Sequence, residues 1–439
     1  MNSPPTHITP LTLPPGTRTP NGTTANSADW TIYHHDNTHT GYLANEHDPQ
    51  HLKRAWSAHL DGAVYAEPLV VGKHVLIATE GNSLYSLDAQ TGQVQWRTNI
   101  GPPVPLAALP CGNIDPLGIT GTPVYDPATG LVFAVAEVSG PEHILVGTDV
   151  NTGQVKVRRF MDPDGINPQA QQQRAALALY QGMVYAAFGG LYGDCGDYHG
   201  WIVASRTDGQ GPLRSYQVPT PRMGGIWATP GPAVDATGSL YVVVGNGAAT
   251  SGTWDHSDSV LRLSPTLQLE DSFAPQQWQQ DNARDSDLGS MGPMLLPGGL
   301  IFADGKSGNA YLLHARALGG VGGQAAVISL CAAYGGAALV ETVLFVPCED
   351  GLQQLLVGPG TKLTPGWKAP KQVTGSPVVG GHTVYCLDPA GTLYAFDAGS
   401  GKVRATVSVG STSGFATPTL SKDRVFVGTL TGVVAVVGS

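Results

Sequence analysis

A short motif that joins an aromatic or hydroxyl residue to a small residue and a proline recurs along the chain, each time before an apolar run. Copies with the proline begin at Tyr65, Thr120, Trp227, Ser290, Thr374 and Phe415, and two copies without it begin at Arg174 and Tyr334. Because side chains alternate along a strand, the first and third residues of each copy share a direction. The third positions include Glu67, Thr122, Thr229, Ser376 and Thr417. Such a set could stack a flat ligand and hydrogen-bond its edge. The alternative is that the hydroxyls cap turns and the aromatic rings plug a channel.

Charged clusters lie close to some of these copies. Asp287 ends the segment Arg284-Asp285-Ser286-Asp287, just before the Ser290 copy, and could act as a base or a ligand, or belong to a salt-bridged loop. Two further clusters mix Asp with His, and they consist of Asp194, Asp197 and His199, and of Asp255, His256 and Asp258. We interpret these as Asx turns with surface histidines, so the sequence predicts no metal site.

The spacing of the motif indicates the architecture. The eight copies lie about 40 to 63 residues apart, which is typical of propeller blades of four strands each. The sequence therefore predicts an all-β fold, an eight-bladed β-propeller. The eighth blade ends one strand short, and residues 52–59 are predicted to supply its outer strand and close the ring. A seven-bladed ring with an appendage is the alternative.

The repeat also resembles a known family. The strings Ser83-Leu84-Tyr85-Ser86-Leu87-Asp88 and Thr91-Gly92-Gln93-Val94-Gln95-Trp96, with related copies in blades 2 and 7, are similar to the repeat of quinoprotein dehydrogenases and their pyrroloquinoline-quinone (PQQ)-like relatives. The lead-in Asp29-Trp30-Thr31-Ile32-Tyr33 resembles theirs as well. The resemblance covers roughly residues 29 to 439, and it is closest to secreted bacterial PQQ-binding-like propellers. It is specific for the fold and says little about the activity.

The resemblance implies where a cofactor would lie. Quinoprotein alcohol dehydrogenases hold the quinone under a bridge between adjacent cysteines, over a tryptophan and beside calcium. Here Trp227 could be the stacking floor, Arg174 could neutralise a quinone oxygen and Glu67 could ligate calcium. The sequence has no adjacent cysteines, and the six to eight oxygens that calcium needs cannot be assembled from it. PQQ with calcium is therefore not the favoured cofactor.

The five cysteines predict a covalent framework at the channel mouth. Cys111, in the loop before the second motif, and Cys195, in a Gly-rich turn of the third blade, should emerge on the same face. Cys331 and Cys348 should meet on that face within the sixth blade. We therefore predict disulfides Cys111–Cys195 and Cys331–Cys348, with Cys386 as a buried free thiol. Five reduced cysteines packed as small apolar groups are the alternative.

Composition limits the compartment and the partners. With 58 Gly and 34 Pro the chain suits many short strands and turns, and a net charge of −10 argues against nucleic acid and anionic membranes as partners. No apolar run is long enough to span a bilayer. Residues 1–28 are predicted to be a disordered Pro/Thr-rich tail and residues 29–439 a single propeller domain. We expect a monomer that is secreted, periplasmic or on the cell surface.

Three functions remain open from the sequence. The first is a propeller that binds a small molecule, glycan or protein at its mouth without chemistry. The second is a PQQ-dependent alcohol or sugar dehydrogenase, and the third is a lyase or hydrolase at the mouth. Whether the protein is an enzyme is left open at this point. The candidate ligand-binding residues are Tyr65, Glu67, Thr120, Thr122, Arg174, Trp227, Thr229, Asp287, Tyr334, Ser376, Phe415 and Thr417.

Overall fold

The protein is an eight-bladed β-propeller in which each blade is an antiparallel sheet of four main strands. A computed structural model describes residues 29–369 and 373–439. The tail predicted for residues 1–28 lies outside the described residues. One copy of the sequence motif comes just before the inner strand of each blade, so the motif repeats once per blade.

Blades 1 to 4 follow one another along the chain. From the inner to the outer strand they comprise, in blade 1, Leu69–Val71, His74–Ala78, Ser83–Asp88 and Val94–Asn99; in blade 2, Val124–Asp126, Leu131–Val138, Glu142–Asp149 and Val155–Phe160; in blade 3, Ala178–Tyr180, Met183–Gly190, Trp201–Arg206 and Arg214–Gln217; and in blade 4, Ala233–Val234, Leu240–Val244, Ser259–Leu263 and Leu269–Ala274. Two short strands extend these sheets, Gln171–Gln172 in blade 3 and Gly320–Val321 in blade 4.

Blades 5 to 8 complete the ring. They comprise, in blade 5, Met294–Leu296, Leu300–Ala303, Asn309–His314 and Ala326–Ser329; in blade 6, Ala338–Val340, Val343–Cys348, Gly351–Gly358 and Lys362–Lys368; in blade 7, Val378–Gly380, Thr383–Leu387, Thr392–Asp397 and Val403–Ser408; and in blade 8, Thr419–Ser421, Arg424–Thr429, Gly432–Gly438 and Leu52–His59. The helices are the α-helix Trp278–Arg284 and the 3₁₀ turns Leu106–Ala108, Leu288–Ser290 and Pro359–Thr361.

The ring closes as the sequence predicts. Leu52–His59 pairs antiparallel with Gly432–Gly438, and Ser57 lies opposite Val434. Strands from the two ends of the propeller domain thus share blade 8. Since this pairing gives the Gly432–Gly438 strand a partner on both sides, the outer edge there is covered.

Tryptophans of the outer strands join neighbouring blades. The indole nitrogens of Trp56, Trp96 and Trp367 donate to backbone carbonyls of the next blade, at Ala89, Val150 and Ala398, over 3.1, 2.8 and 2.9 Å. Each ring also covers a glycine turn of that blade, at Gly92, Gly153 and Gly401. A Cβ at any of these glycines would lie within 2.5 to 2.8 Å of the indole, so only glycine admits the contact.

The lead-in segment closes one end of the central channel. Backbone hydrogen bonds from residues 30–41 reach inner strands of five blades, at Val70, Tyr125, Val234, Leu339 and Val379. Tyr33, which is 1% exposed, is buried at the centre of this arrangement. Strand Tyr42–Leu43 then pairs in parallel with blade 7.

The structure contains both predicted disulfides. The Cα atoms of Cys111 and Cys195 are 6.0 Å apart, those of Cys331 and Cys348 are 5.6 Å apart, and Cys386 is a buried free thiol. Disulfides of this kind indicate an oxidising compartment outside the cytoplasm. No helix within residues 29–369 and 373–439 is long and apolar enough to cross a membrane.

Thiol titration of the denatured, unreduced protein should detect one thiol per chain, that of Cys386, because the other four cysteines are paired. The same titration after reduction gives the total of five. Detection of five thiols before reduction would contradict the pairing.

Replacing Gly153 with Ala should destabilise the propeller more than replacing Gly130, although both glycines have φ of +72°. The new Cβ at residue 153 would lie 2.8 Å from the Trp96 ring, whereas nothing lies within 4 Å at residue 130. We expect the backbone strain of about 1 kcal/mol in both variants and about 1 to 3 kcal/mol more in Gly153→Ala. Urea unfolding of the two variants measures the difference, and equal losses would show that the indole contact is unimportant.

Candidate functional site

A cavity of about 670 Å³ opens at the end of the channel opposite the lead-in. Loops of blades 2 to 6 and blade 8 form its walls. The first motif residues of four blades face it, namely Arg174, Trp227, Tyr334 and Phe415. The other side chains and glycines in its walls are Asn113, Gly190, Leu191, Tyr192, Gly193, Asp194, Tyr198, Gly225, Asn246, Asp285, Ser286, Asp287 and Lys306. We call this space the mouth cavity.

Two cations lie against aromatic rings on the floor of the mouth cavity. The guanidinium carbon of Arg174 is 4.7 Å from the centroid of Phe415 and 5.8 Å from that of Trp227. Lys306 Nζ is 5.7 Å from the Trp227 ring, and Tyr334 stacks on Phe415 with centroids 6.0 Å apart. Cation–π attraction of this kind grows when water is excluded. The floor is therefore aromatic and holds two cationic side chains.

Arg174 differs from Lys306 in lacking an anionic partner. Its guanidinium makes no hydrogen bond or ion pair with any residue in the described part of the chain. Burial lowers the pKa of Arg174 to about 10, while the charges of Tyr65 and Glu80 oppose that shift. Arg174 is partly buried and borders the mouth cavity, so the five donors of its guanidinium are available to a ligand there. The arrangement thus favours an anionic or carbonyl-bearing ligand at this point.

Lys306, in contrast, is held between two carboxylates. Its Nζ lies 2.5 Å from Asp287 Oδ2 and 2.8 Å from Asp285 Oδ1. Asp287 Oδ1 also accepts from the backbone N–H of Asn246 over 2.5 Å. Burial raises the pKa of Asp287, and Lys306 opposes that shift. The salt-bridged loop considered for Asp287 is therefore present, and its cation is Lys306.

The segment that carries Asp285 is shaped by its backbone. Helix Trp278–Arg284 ends at Asp285, which adopts a left-handed conformation with φ of 54°. The 3₁₀ turn Leu288–Ser290 follows and leads into the inner strand of blade 5. Asp285 consequently stays 64% exposed on the cavity wall, while Asp287 is 3% exposed behind it.

The third motif positions lie deeper and pack on the lead-in instead of the mouth cavity. Thr417 Oγ1 lies 3.5 Å from Tyr33 Oη, and Ser376 Oγ accepts from the backbone N–H of Gly336 over 3.0 Å. The space left among the residues there is about 10 Å³, room for a single water at most. That space is bordered by Tyr33, Tyr65, Glu67, Thr120, Thr122, Arg174, Thr229, Ser413, Phe415 and Thr417.

Glu67 is the clearest correction to the sequence interpretation. Its carboxylate accepts from Trp30 Nε1 over 3.0 Å and from the backbone N–H of His34 over 2.8 Å, so it anchors the lead-in and does not face the mouth cavity. Burial raises the pKa of Glu67. Thr122 accepts from the Glu67 backbone, and Thr120 donates to Glu80. These hydroxyls and this carboxylate are engaged within the protein.

Of the twelve candidates, five border the mouth cavity, namely Arg174, Trp227, Asp287, Tyr334 and Phe415. Their role in ligand binding remains a prediction. Sequence reasoning missed Lys306, Asn246 and Tyr192. Each of the three closely follows the second strand of a blade, on the face where the motif loops emerge. That position could have been used as a signal. Because neighbouring strands of a blade run in opposite directions, the loop after the second strand and the loop before the inner strand emerge at the same end of the propeller.

The prediction of Asx turns with surface histidines is confirmed only for Asp255, which accepts from the backbone N–H of Ser257. Asp194 accepts from Tyr198 Oη, Asp258 is buried and accepts from the backbone N–H of Leu288, and the prediction of surface histidines is wrong, because His199 and His256 are both partly buried. In the described ranges, no three His, Cys, Asp or Glu side chains are grouped so that they could hold a metal ion.

Comparison with known proteins agrees with this architecture. The family model described as outer membrane protein assembly factor BamB, a PQQ-repeat model, matches residues 48–187 and 360–437. A polyvinylalcohol dehydrogenase of Sphingopyxis sp. (strain 113P3) is 24% identical over 297 residues, covering 60% of this chain and 42% of the relative. The chain thus spans less than half the length of that relative.

Solved structures share the fold at low identity. The quinohemoprotein alcohol dehydrogenase of Comamonas testosteroni superimposes with a TM-score of 0.72 at 14% identity, covering 93% of this chain and 80% of the other. A europium-containing methanol dehydrogenase gives 0.74 at 14%, covering 94% and 98%. BamB from Moraxella catarrhalis gives 0.58 at 15%, covering 88% and 98%. The fold is that of an eight-bladed β-propeller built from PQQ-type repeats. This chain belongs to the PQQ-like β-propeller family.

Replacing Lys306 with Met should destabilise the protein in a pH-dependent way, because it leaves the buried carboxylate of Asp287 unpaired. Burial already raises the pKa of Asp287 in the folded protein above its unfolded value. The folded variant therefore takes up a proton at low pH and bears an unpaired charge at high pH, so its deficit should grow as pH rises. We expect a loss of roughly 3 kcal/mol at pH 8 and a smaller one at pH 5, measured by urea unfolding. A deficit that does not change with pH would contradict this account.

Proposed function

We propose that this protein is an extracytoplasmic dehydrogenase that oxidises alcohols with a PQQ-type quinone bound in the mouth cavity. The named relative and two of the structural neighbours are alcohol-oxidising dehydrogenases, which favours this function over binding without chemistry and over a lyase or hydrolase. The observation that carries the proposal is the unpaired Arg174 beside the Trp227 ring. Secretion, the periplasm and the cell surface all suit the two disulfides.

The residues of the floor fit a flat, carboxylate-bearing quinone. Trp227 offers a half-buried ring face, and Arg174 supplies unpaired donors in the plane that a carboxylate or quinone oxygen needs. Lys306 supplies a second cation against the same ring. Tyr334 and Phe415 would limit the other side of the space. When bound, the quinone accepts the two electrons that leave the alcohol carbon.

The same residues do not fit a calcium ion. Asp285, Asp287 and Asn246 offer oxygens on one wall, but Lys306 Nζ already lies within 2.8 Å of both carboxylates. Calcium takes six to eight oxygen ligands, and among the described residues no three His, Cys, Asp or Glu side chains are grouped so that they could hold a metal ion. Lys306 thus occupies the position in which a divalent ion would neutralise these aspartates. We derive no step that depends on a metal.

The Cys111–Cys195 disulfide occupies a position beside the cavity, behind Gly193. A Cβ on Gly193 would lie 3.3 Å from Cys111 Sγ. The disulfide therefore lies behind the Gly193 backbone, and neither of its cysteines borders the mouth cavity.

Asp285 is the group best placed to accept the hydroxyl proton of the alcohol. Both oxygens of Asp287 are engaged, by Asn246 and Lys306, whereas Asp285 Oδ2 has no partner among the described residues. Asp285 thus takes the role of base, which the sequence suggested for Asp287 as one alternative to a salt-bridged loop. As the alcohol is oxidised, its carbon loses a hydride equivalent and its oxygen loses a proton, which Asp285 takes while Lys306 holds the carboxylate in place.

The purified protein should bind PQQ and reduce an artificial electron acceptor when an alcohol is added. Arg174→Ala should weaken PQQ binding by about tenfold to a hundredfold, because charged hydrogen bonds contribute roughly 1.5 to 3 kcal/mol. Asp285→Asn should keep the binding and lower kcat by about 10²-fold or more. Calorimetry measures the binding and dye reduction measures the turnover, with calcium present so that a metal requirement would not hide activity.

Arg206→Ala is the matched control, because Arg206 is 60% exposed and pairs only with Asp208 on blade 3. It should change neither quantity. Absence of PQQ binding by the unaltered protein, or equal binding by Arg174→Ala, would refute the proposed cofactor.

A further inference from the structure

An exposed aromatic side chain stands on the rim of the mouth cavity. Tyr192 is 66% exposed, although it borders the cavity, and its hydroxyl has no hydrogen-bond partner among residues 29–369 and 373–439. It follows Leu191, which is buried, in the loop between the second and third strands of blade 3. An aromatic ring left in water beside a cavity marks a place where a ligand can cover it.

The loop that carries Tyr192 is fixed on its far side. The Cys111–Cys195 disulfide crosslinks it to blade 2, and Asp194 N donates to Leu191 O over 3.0 Å to form a turn around Tyr192. The guanidinium of Arg222 donates to the carbonyls of Asp194 and Gly196. These contacts hold the backbone around Tyr192 while leaving its ring free, so the ring can bind a ligand with little loss of loop entropy.

Polar groups border the same cavity as the ring. Asn113 lies on the loop that the disulfide joins to this wall, and Ser286 also borders the cavity. An apolar ligand that filled the cavity beside Tyr192 would leave this amide and this hydroxyl without partners, at a cost in free energy. A chain that alternates C–H faces with hydroxyl groups satisfies both the ring and its polar neighbours.

We infer that Tyr192 is the stacking platform of a rim subsite for a polyhydroxylated chain, one segment of which reaches the floor of the mouth cavity. This inference deepens the proposed function, since that function places the reacting hydroxyl near Asp285 and Trp227. Binding at the rim requires no quinone. The subsite would therefore distinguish chain-like polyols from small alcohols, which are too short to touch both the floor and the rim.

The test measures binding of a short vinyl-alcohol oligomer to the cofactor-free protein by titration calorimetry. Tyr192→Ala should bind the oligomer about three- to tenfold more weakly, the range expected for loss of one aromatic contact. Tyr192→Phe should bind it as the unaltered protein does, because the ring remains. Phe160→Ala is the matched control, since Phe160 is 58% exposed on the outer strand of blade 2. Circular dichroism of each variant confirms that the fold is intact.

The outcomes separate this inference from the proposed function. Weaker oligomer binding by Tyr192→Ala alone supports the subsite, even if the quinone-loaded protein shows no turnover. Where turnover exists, Tyr192→Ala should lower kcat/KM for the oligomer by a larger factor than kcat/KM for pentane-2,4-diol. Equal binding of the oligomer by Tyr192→Ala and by the unaltered protein would overturn the subsite. So would a Tyr192→Ala variant that binds benzyl alcohol, a small aromatic alcohol, more weakly but binds the oligomer normally.

Discussion

The contact between a tryptophan of one blade and a glycine turn of the next sets the angle at which blades meet. Trp56, Trp96 and Trp367 each bury an indole face on a turn that has no room for a Cβ, and each donates its N–H to the same neighbouring blade. The contact combines apolar burial with a directional hydrogen bond, so it fixes both distance and rotation. These three contacts therefore set how blades 8, 1 and 2, and blades 6 and 7, are oriented relative to one another.

The blades that form the walls of the mouth cavity meet differently. Between blades 2 and 3, Arg159 donates to the carbonyls of Gly209 and Gly211, and between blades 4 and 5, Arg262 donates to Ala315. The three tryptophan contacts lie at the seams of blades 8 and 1, 1 and 2, and 6 and 7. The seams without these tryptophan contacts, between blades 2 and 3 and between blades 4 and 5, adjoin the Gly-rich loop of blade 3 and the helix Trp278–Arg284 that shape the site.

The fold could be predicted because the repeat period, the turn glycines and the strand of residues 52–59 can each be recognised in a short stretch of the sequence. The disulfides followed from the same topology, since loops of neighbouring blades emerge on one face. The site could be predicted only in part. The alternation of side chains along a strand places Glu67 and Thr417 on the channel side. It does not show that Tyr33, which belongs to the lead-in, occupies the channel next to them. Lys306 was missed because its role depends on Asp285 and Asp287 in another loop, a contact that no local pattern encodes.

The cations of the mouth cavity divide into one that is ion-paired and one that is not, and this division decides what the site can bind. Lys306 lies between two carboxylates, Asp285 and Asp287, so these three groups together carry no net positive charge that would attract an anion. Arg174 is held only by the rings of Trp227 and Phe415, whose attraction offsets part of the cost of removing it from water. A flat anionic ligand supplies the remaining stabilisation, since it can stack on the ring and accept from the guanidinium at once. The affinity for such a ligand should therefore depend chiefly on Arg174. In this proposal Asp285, held in place by Lys306, accepts the proton of the alcohol.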